Sequence, residues 1–341
     1  MKLNRLILAL AASTALTSVA QAAQSLNLAN YSLSASYALD TLGGKGLEAS
    51  AVTYARDRGT LFFVGDEGLG AVEISLTGQT IGHMNFDWAG TGSAKHDTEG
   101  LTYLGGGVLV VGEERLQDAY RFSYAANSTA KLKDSFVSIS NTLVKNDGME
   151  GISYDARNGG SFVIVKQQAP QAIKGGGLSF AAPTGLPVDP LPTHGASPAG
   201  GGVATMIDLF DPNIMGLKSL SDVQTLAGVD SLAGTAGADN LLVLSLESRK
   251  LVEVNRLGQV LSSFDLGNVL PNNGIEGVTI DQLGNIYLVA EQDQTGFGGA
   301  DPKSQLIVLS ALAPVPEPST YGLMALGLGL LGVQARRRKQ N

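Results

Sequence analysis

Short apolar runs recur along the body of the chain, separated by glycine-rich and polar breaks. The runs at 61–64, 108–111, 162–165, 241–244 and 286–289 are rich in β-branched and aromatic residues, the pattern of buried strands. Each is reached, through a Gly or polar turn, from a string that opens on an acid and continues with a small residue, an apolar one and often Ser or Thr. The five strings are Glu48-Ala49-Ser50-Ala51-Val52-Thr53-Tyr54, Glu99-Gly100-Leu101-Thr102-Tyr103, Glu150-Gly151-Ile152-Ser153-Tyr154, Asp230-Ser231-Leu232-Ala233-Gly234 and Glu276-Gly277-Val278-Thr279-Ile280. A third strand is expected at 70–76, 119–124, 203–209, 250–255 and 305–310, and a more polar fourth strand, as at 259–266, after turns such as Leu257-Gly258.

Four antiparallel strands repeating every 46 to 51 residues describe the blades of a propeller, which stack face to face around an axis. The step from Glu150 to Asp230 is 80 residues. Its surplus falls at 169–202, a stretch with six of the twelve prolines and eight glycines that reads as a long Pro/Gly-rich loop. The last blade lacks an outermost strand, and residues 31–39, which alternate polar and apolar, can supply it from the other end of the body. That closes the ring and removes an exposed sheet edge. The expectation is an all-β fold, a five-bladed β-propeller over residues 24–313, with a sixth, degenerate blade hidden in 169–228 as the alternative.

Both ends of the chain have the layout of targeting segments. Lys2 and Arg5 precede an apolar run from Leu6 to about Val19, and Ala20-Gln21-Ala22 offers small residues for cleavage, so 1–22 reads as a secretory signal peptide. At the other end, Val315-Pro316-Glu317-Pro318-Ser319 leads into an apolar stretch at 320–335 and then Arg336-Arg337-Arg338-Lys339. The stretch is near the lower limit for spanning a bilayer as a transmembrane helix, with the basic cluster on the cytoplasmic side. The layout over 314–341 resembles the PEP-CTERM sorting signal. That resemblance implies handling by an exosortase-type system, export to the cell envelope or beyond, and at least transient anchoring in the inner membrane through the C-terminal segment.

Composition narrows the chemistry. The chain has no Cys and only three His (His83, His96, His194), which removes disulfides, thiolate metal sites and a cysteine nucleophile and leaves hard cations with oxygen ligands as the better fit. Without Lys2, Arg5 and the tail's Glu317, Arg336, Arg337, Arg338 and Lys339, the body carries 17 cationic and 30 acidic side chains, near −13. Such a surface repels phosphate backbones, so no nucleic-acid partner is expected.

The body also resembles the SdiA-regulated family of bacterial envelope propellers. The likeness is carried by Asp97-Thr98-Glu99-Gly100-Leu101-Thr102-Tyr103 with Val111-Gly112-Glu113-Glu114-Arg115, by Gly148-Met149-Glu150-Gly151-Ile152-Ser153-Tyr154-Asp155, by Leu246-Glu247-Ser248-Arg249-Lys250, and by Ile275-Glu276-Gly277-Val278 with Ala290-Glu291. The resemblance implies a five-bladed propeller with a bound calcium ion. Two departures are the length of 169–202 and Gln167, which stands where an acid would end the blade.

A second acid closes the apolar strand in four repeats, as Glu67, Glu114, Glu247 and Glu291. In an antiparallel hairpin the start of one strand and the end of the next lie at the same edge, so both sets should face one mouth of the channel. The candidate metal ligands are therefore Glu99, Glu150 and Glu276 first, then Glu48, Asp230, Glu67, Glu114, Glu247 and Glu291. Crowded carboxylates need a positive partner, and calcium accepts six to eight oxygens. Arg115, Arg249 and Lys250 follow the second acids and can neutralise some of them; Asp66 and Glu113, beside those acids, are expected to face solvent. Ser93, His96 and Asp97 lie close in sequence, but a hydrolytic triad needs a geometry that proximity in sequence does not supply, so none is expected. Two readings follow: a calcium-binding ligand-binding or scaffold module whose mouth recognises a small molecule, glycan or protein, and a metal-dependent hydrolase of the esterase, lactonase or phytase-like kind. The sequence leaves open whether the chain is an enzyme.

Overall fold

The computed structural model describes residues 24–142, 144–187, 195–293 and 303–312. The signal peptide expected at 1–22, the sorting tail with its apolar segment and His194 lie outside the described residues. Among those residues no helix is long and apolar enough to cross a membrane.

The chain begins with β1 (Tyr31–Ala38) and then builds the first blade from β2 (Ala49–Ala55), β3 (Thr60–Gly65), β4 (Gly70–Ile74) and β5 (Thr80–Asp87). β6 (Thr98–Gly105), β7 (Val108–Glu113) and β8 (Asp118–Ser123) follow. β9 (Thr129–Lys131) pairs in parallel with β5, and β10 (Phe136–Ser138) completes the second blade beside β8. The third blade is β11 (Met149–Asp155), β12 (Ser161–Lys166), β13 (Ala172–Ser179) and, after the small hairpin of β14 (Pro183–Pro187) and β15 (Pro198–Gly200), β16 (Val203–Asp208). β17 (Asp222–Thr225), β18 (Leu241–Ser245), β19 (Lys250–Val254) and β20 (Val260–Asp265) form the fourth. β21 (Asn273–Ile280), β22 (Ile286–Asp293) and β23 (Gln305–Ala311) form the fifth, and β1 lies beside β23 as its outermost strand. The fold is a five-bladed, all-β propeller closed by its own N-terminal strand.

The apolar runs are buried on both faces, because alternate side chains of one blade enter two different clusters. In the second blade Leu109 and Val111 pack toward Phe62 and Val64 of the first, while Val110 and Ala119 pack toward Ile152 and Ile164 of the third. A comparable cluster fills each remaining junction, including the one between the fifth and first blades. The outer strands instead alternate, as β20 does. A ring of hydroxyls stitches the innermost strands together. Thr53 accepts from the Tyr103 N–H at 3.1 Å, Thr102 from Tyr154 at 2.9 Å, Ser153 from Thr225 at 3.0 Å and Thr279 from Tyr54 at 3.0 Å.

Three expectations are corrected. Residues 172–179, assigned to the loop at 169–202, form β13, the third strand of its blade; 203–209, expected as that third strand, supplies the outermost one. The run Lys174-Gly175-Gly176-Gly177 hides β13 because it has little side-chain periodicity to show. The inner strand of the fourth blade is β17 at 222–225, whereas Asp230 opens a 3-10 helix (Asp230–Leu232). The described residues of 169–228 form no sixth blade; β14 and β15 pair with each other, and the chain beside them reaches back to the second blade through the Phe136–Ala181 and Ser93–Gly195 bridges.

Candidate metal centre at one mouth of the channel

Counting back three residues from each ring hydroxyl gives the equivalent positions Ser50, Glu99, Glu150, Asp222 and Glu276. In four of the five inner strands this residue is the bulged one, skipped by the ladder between Ala49 and Ala51, Thr98 and Gly100, Met149 and Gly151, and Ile275 and Gly277. A bulge frees its residue from cross-strand pairing and re-aims the side chain. The next residue is glycine where neighbouring inner strands come closest: a Cβ on Gly151 would lie 2.7 Å from the Cα of Asp222, and one on Gly277 2.9 Å from the Cα of Ala51. The Glu-Gly motif thus joins an inward acid to a site of close blade contact.

Glu99, Glu150 and Glu276 are 9, 5 and 8% exposed and lie close enough to act on one another. Burial first, and then Glu150 and Glu276, hold the Glu99 carboxyl well above the usual range. Glu150 and Glu276 are raised in the same way, by burial and then by Glu114 and Glu291 respectively. Asp66, Asp97, Glu114 and Glu291 complete the inner set. Burial and the adjacent Asp97 push Asp66 up to about 8, and burial pushes Glu291 up to about 7. Four contacts are between two carboxyl groups, Asp66 with Asp97, Asp97 with Glu114, Glu114 with Glu150 and Glu276 with Glu291. Such a pair requires a proton or a cation between its oxygens. The tightest grouping is Asp66, Asp97 and Glu99, each offering an oxygen within 4.8 Å of the others.

Arg115 brings one positive charge here, its Nε 2.6 Å from Asp97 Oδ2, while its other nitrogens donate to Lys145 O and Asn146 Oδ1. Arg249 directs its guanidinium to the carbonyls of Asn273, Leu266, Val269 and Leu270, and Lys250 is exposed on its strand. One guanidinium is paired with Asp97, and the carboxyl–carboxyl contacts beside it each call for a proton or a cation. The oxygen-only donor set suits a hard ion.

The sequence-selected acids divide accordingly. Glu99, Glu150, Glu276, Glu114 and Glu291 meet at this mouth. Glu48 stands at its rim with its carboxyl raised by burial and by Asp66 and Glu67. Glu67 and Glu247 are exposed, displaced by the Asp66 and Ser245 that take their expected places. Asp230 is at the opposite mouth, paired with Arg56 at 2.8 Å. Asp222, at the equivalent position in the fourth blade, is satisfied by the N–H groups of Val223 and Val278, both at 2.7 Å. Asp66 and Asp97 were passed over in sequence because the strings were aligned on their acids; aligned on Phe62 and Val110, the ladder partners of Thr53 and Thr102, Asp66 falls in line with Glu114. Glu113, expected in solvent, is buried and accepts from Ser93 Oγ at 2.6 Å and Leu116 N at 2.7 Å. That occupies Ser93, and His96 stacks on Trp88 with ring centroids 5.0 Å apart, so Ser93, His96 and Asp97 form no triad.

Residues 24–294 match the SdiA-regulated family model. The chain belongs to the SdiA-regulated family. Residues 314–339 of this SdiA-regulated protein match the PEP-CTERM protein-sorting motif, the mark of an exported, envelope-associated protein. Similar solved structures include a luciferin-regenerating enzyme, at 11% identity and TM-score 0.47 over 82% of this chain and 96% of that one. The WD40 repeats of RRP9 align at 12% identity and TM-score 0.41 over 81% and 97%. The Cps50 (Swd1) propeller domain of Myceliophteria thermophila aligns at 10% and 0.35 over 76% and 67%.

Proposed function

We propose that the carboxylate mouth holds a divalent cation, calcium foremost, and that the protein is a calcium-stabilised binding or scaffold module at the cell envelope. The observation that carries this is the convergence of Asp66, Asp97 and Glu99 within 4.8 Å, backed by the buried Glu150 and Glu276. Asp66, Asp97 and Glu99 would be the ligands, with Glu48 and the nearby glutamates able to add oxygens directly or through water. A bound ion would neutralise the cluster and lock the inner strands together. The matching tail supports handling by an exosortase-type system and retention through the C-terminal segment. The ligand of the module is a small molecule, glycan or protein.

Metal analysis of the purified chain tests the reading. About one calcium per chain is expected, removed by chelator and lost in the Asp97→Asn/Glu99→Gln double variant, while Glu67→Gln, Glu247→Gln and Asp230→Asn retain it. A chain that folds normally and takes up no divalent ion would refute it. The hydrolase reading is favoured by one observation, that Glu150 and Glu276 are carboxyl groups beyond the tightest three with affinities for protons raised by burial. Calcium-dependent turnover of an ester, lactone or phosphate, abolished by Glu99→Gln, would establish that reading instead.

A further inference from the structure

The other end of the channel is built from the opposite ends of the same inner strands, and its chemistry differs completely. It opens into a cavity of about 660 Å³, within the size range of small-molecule sites. Its floor includes the ring hydroxyls, three residues and so about 10 Å along the strand from the acids. One residue farther on, Tyr54, Tyr103 and Tyr154 occupy equivalent positions in three successive blades, half-buried, and all line the cavity. Their rings are fixed from behind: Tyr103 stacks on Phe62 at 5.9 Å, and Tyr154 packs on Phe162 at 5.0 Å. The Tyr103 hydroxyl also accepts from Gly107 N at 2.7 Å.

The charged residues that line the cavity are already engaged: Asp57 accepts from Gly106 N at 3.0 Å and from the Tyr103 hydroxyl, and the two arginines are paired with carboxylates. Gln224 and Gln282 line the opposing side; the Gln282 side-chain carbonyl oxygen is itself buried and makes no hydrogen bond within the described residues. Arg56 is paired with Asp230 at 2.8 Å, and Arg157 with Asp155 at 2.6 Å and Asp239 at 2.9 Å. A charged ligand would have to compete with these ion pairs. A neutral one would not.

We propose that this mouth binds a neutral, polyhydroxylated ligand of one or two sugar rings. Flat aromatic faces with a negative quadrupole match the C–H faces of a pyranose. Planar amides and hydroxyls at their edges match its alternating O–H donors and acceptors. The site is independent of the metal reading, since it shares no side chain with the carboxylate cluster.

Saturation-transfer NMR on the full chain tests it, with glucose, galactose, mannose, maltose, cellobiose and lactose as probes and glucuronate as the charged counterpart. Transfer to at least one neutral sugar is expected, unchanged by Glu67→Gln at the opposite mouth, and at least about tenfold weaker in Tyr103→Ala. Gly228→Phe is the second variant: Gly228 lines the cavity, is exposed and has open space around a Cβ, so the ring fills the site without disturbing the core. It should abolish the transfer while leaving the unfolding midpoint in place. No transfer to any neutral sugar, transfer that survives Gly228→Phe, or transfer to glucuronate alone would each overturn the proposal.

Discussion

Asp222 and Glu99 occupy equivalent positions yet meet different surroundings. Asp222 has two backbone donors at 2.7 Å, whereas Glu99 has carboxyl neighbours. Burial nevertheless holds both carboxyls well above the usual range. Asp66 is raised to about 8 and Glu291 to about 7, and away from the cluster burial raises Glu113 and Asp118 to about 7. All four titrate near 4 in an unfolded chain. The folded state therefore binds more protons than the unfolded one between roughly pH 4 and 8, so this contribution to stability is complete below about pH 4 and is lost as pH rises through 7 to 8. The unfolding midpoint of the metal-free chain should fall between pH 5 and pH 8. Excess calcium should flatten the part due to Asp66 and Glu291 and leave the part due to Glu113 and Asp118; a midpoint that rises with pH in chelator would contradict this. Glu99, Glu150 and Glu276 were legible in the sequence because each carries its glycine. Asp66 and Asp97 were not, since nothing local separates an inward acid from the exposed Glu67 beside Asp66.

Strands were easier to read than their register. A four-residue apolar run is visible in composition, but a bulge shifts the side-chain frame by one residue without changing the run itself. This is why Glu48 was chosen where Ser50 takes the ring position, and why Asp230-Ser231-Leu232-Ala233-Gly234 passed for an inner strand that is in fact Asp222–Thr225. The fourth blade has Val223 in place of the motif glycine, so its signal was absent. The glycine's purpose gives a test at this scale. An added Cβ on Gly151 would meet Asp222 Oδ1 at 2.4 Å and its Cα at 2.7 Å, which forces neighbouring inner strands apart. Gly151→Ala should lower stability by about 1–3 kcal/mol, read from denaturant unfolding. An unchanged midpoint would show that the contact is not the reason for the motif.

The molecule as a whole is held by closure at two levels. β1 covers the edge of β23, and Glu253 of the fourth blade fastens the preceding chain by accepting from Ser25 Oγ at 2.6 Å and from the N–H of Leu26 at 3.1 Å. Five blades, with a sixth as the alternative, followed from counting the repeats, and this closure from the missing outer strand and the alternation at 31–39, because a ring of stacked sheets must remove its last edge. Which acids share the axis did not follow, because that depends on how far each bulge turns a side chain. The closed ring brings like charges from four blades into one cluster, and a cation is proposed to resolve that conflict. Calorimetric titration of calcium into the chelator-stripped chain at pH 7, repeated in two buffers of different ionisation heat, tests it most directly. The account predicts one site per chain and the release of at least about one proton per ion, as calcium displaces protons from carboxyl groups raised by burial. Absence of binding by a folded chain, or binding with no proton released, would contradict it.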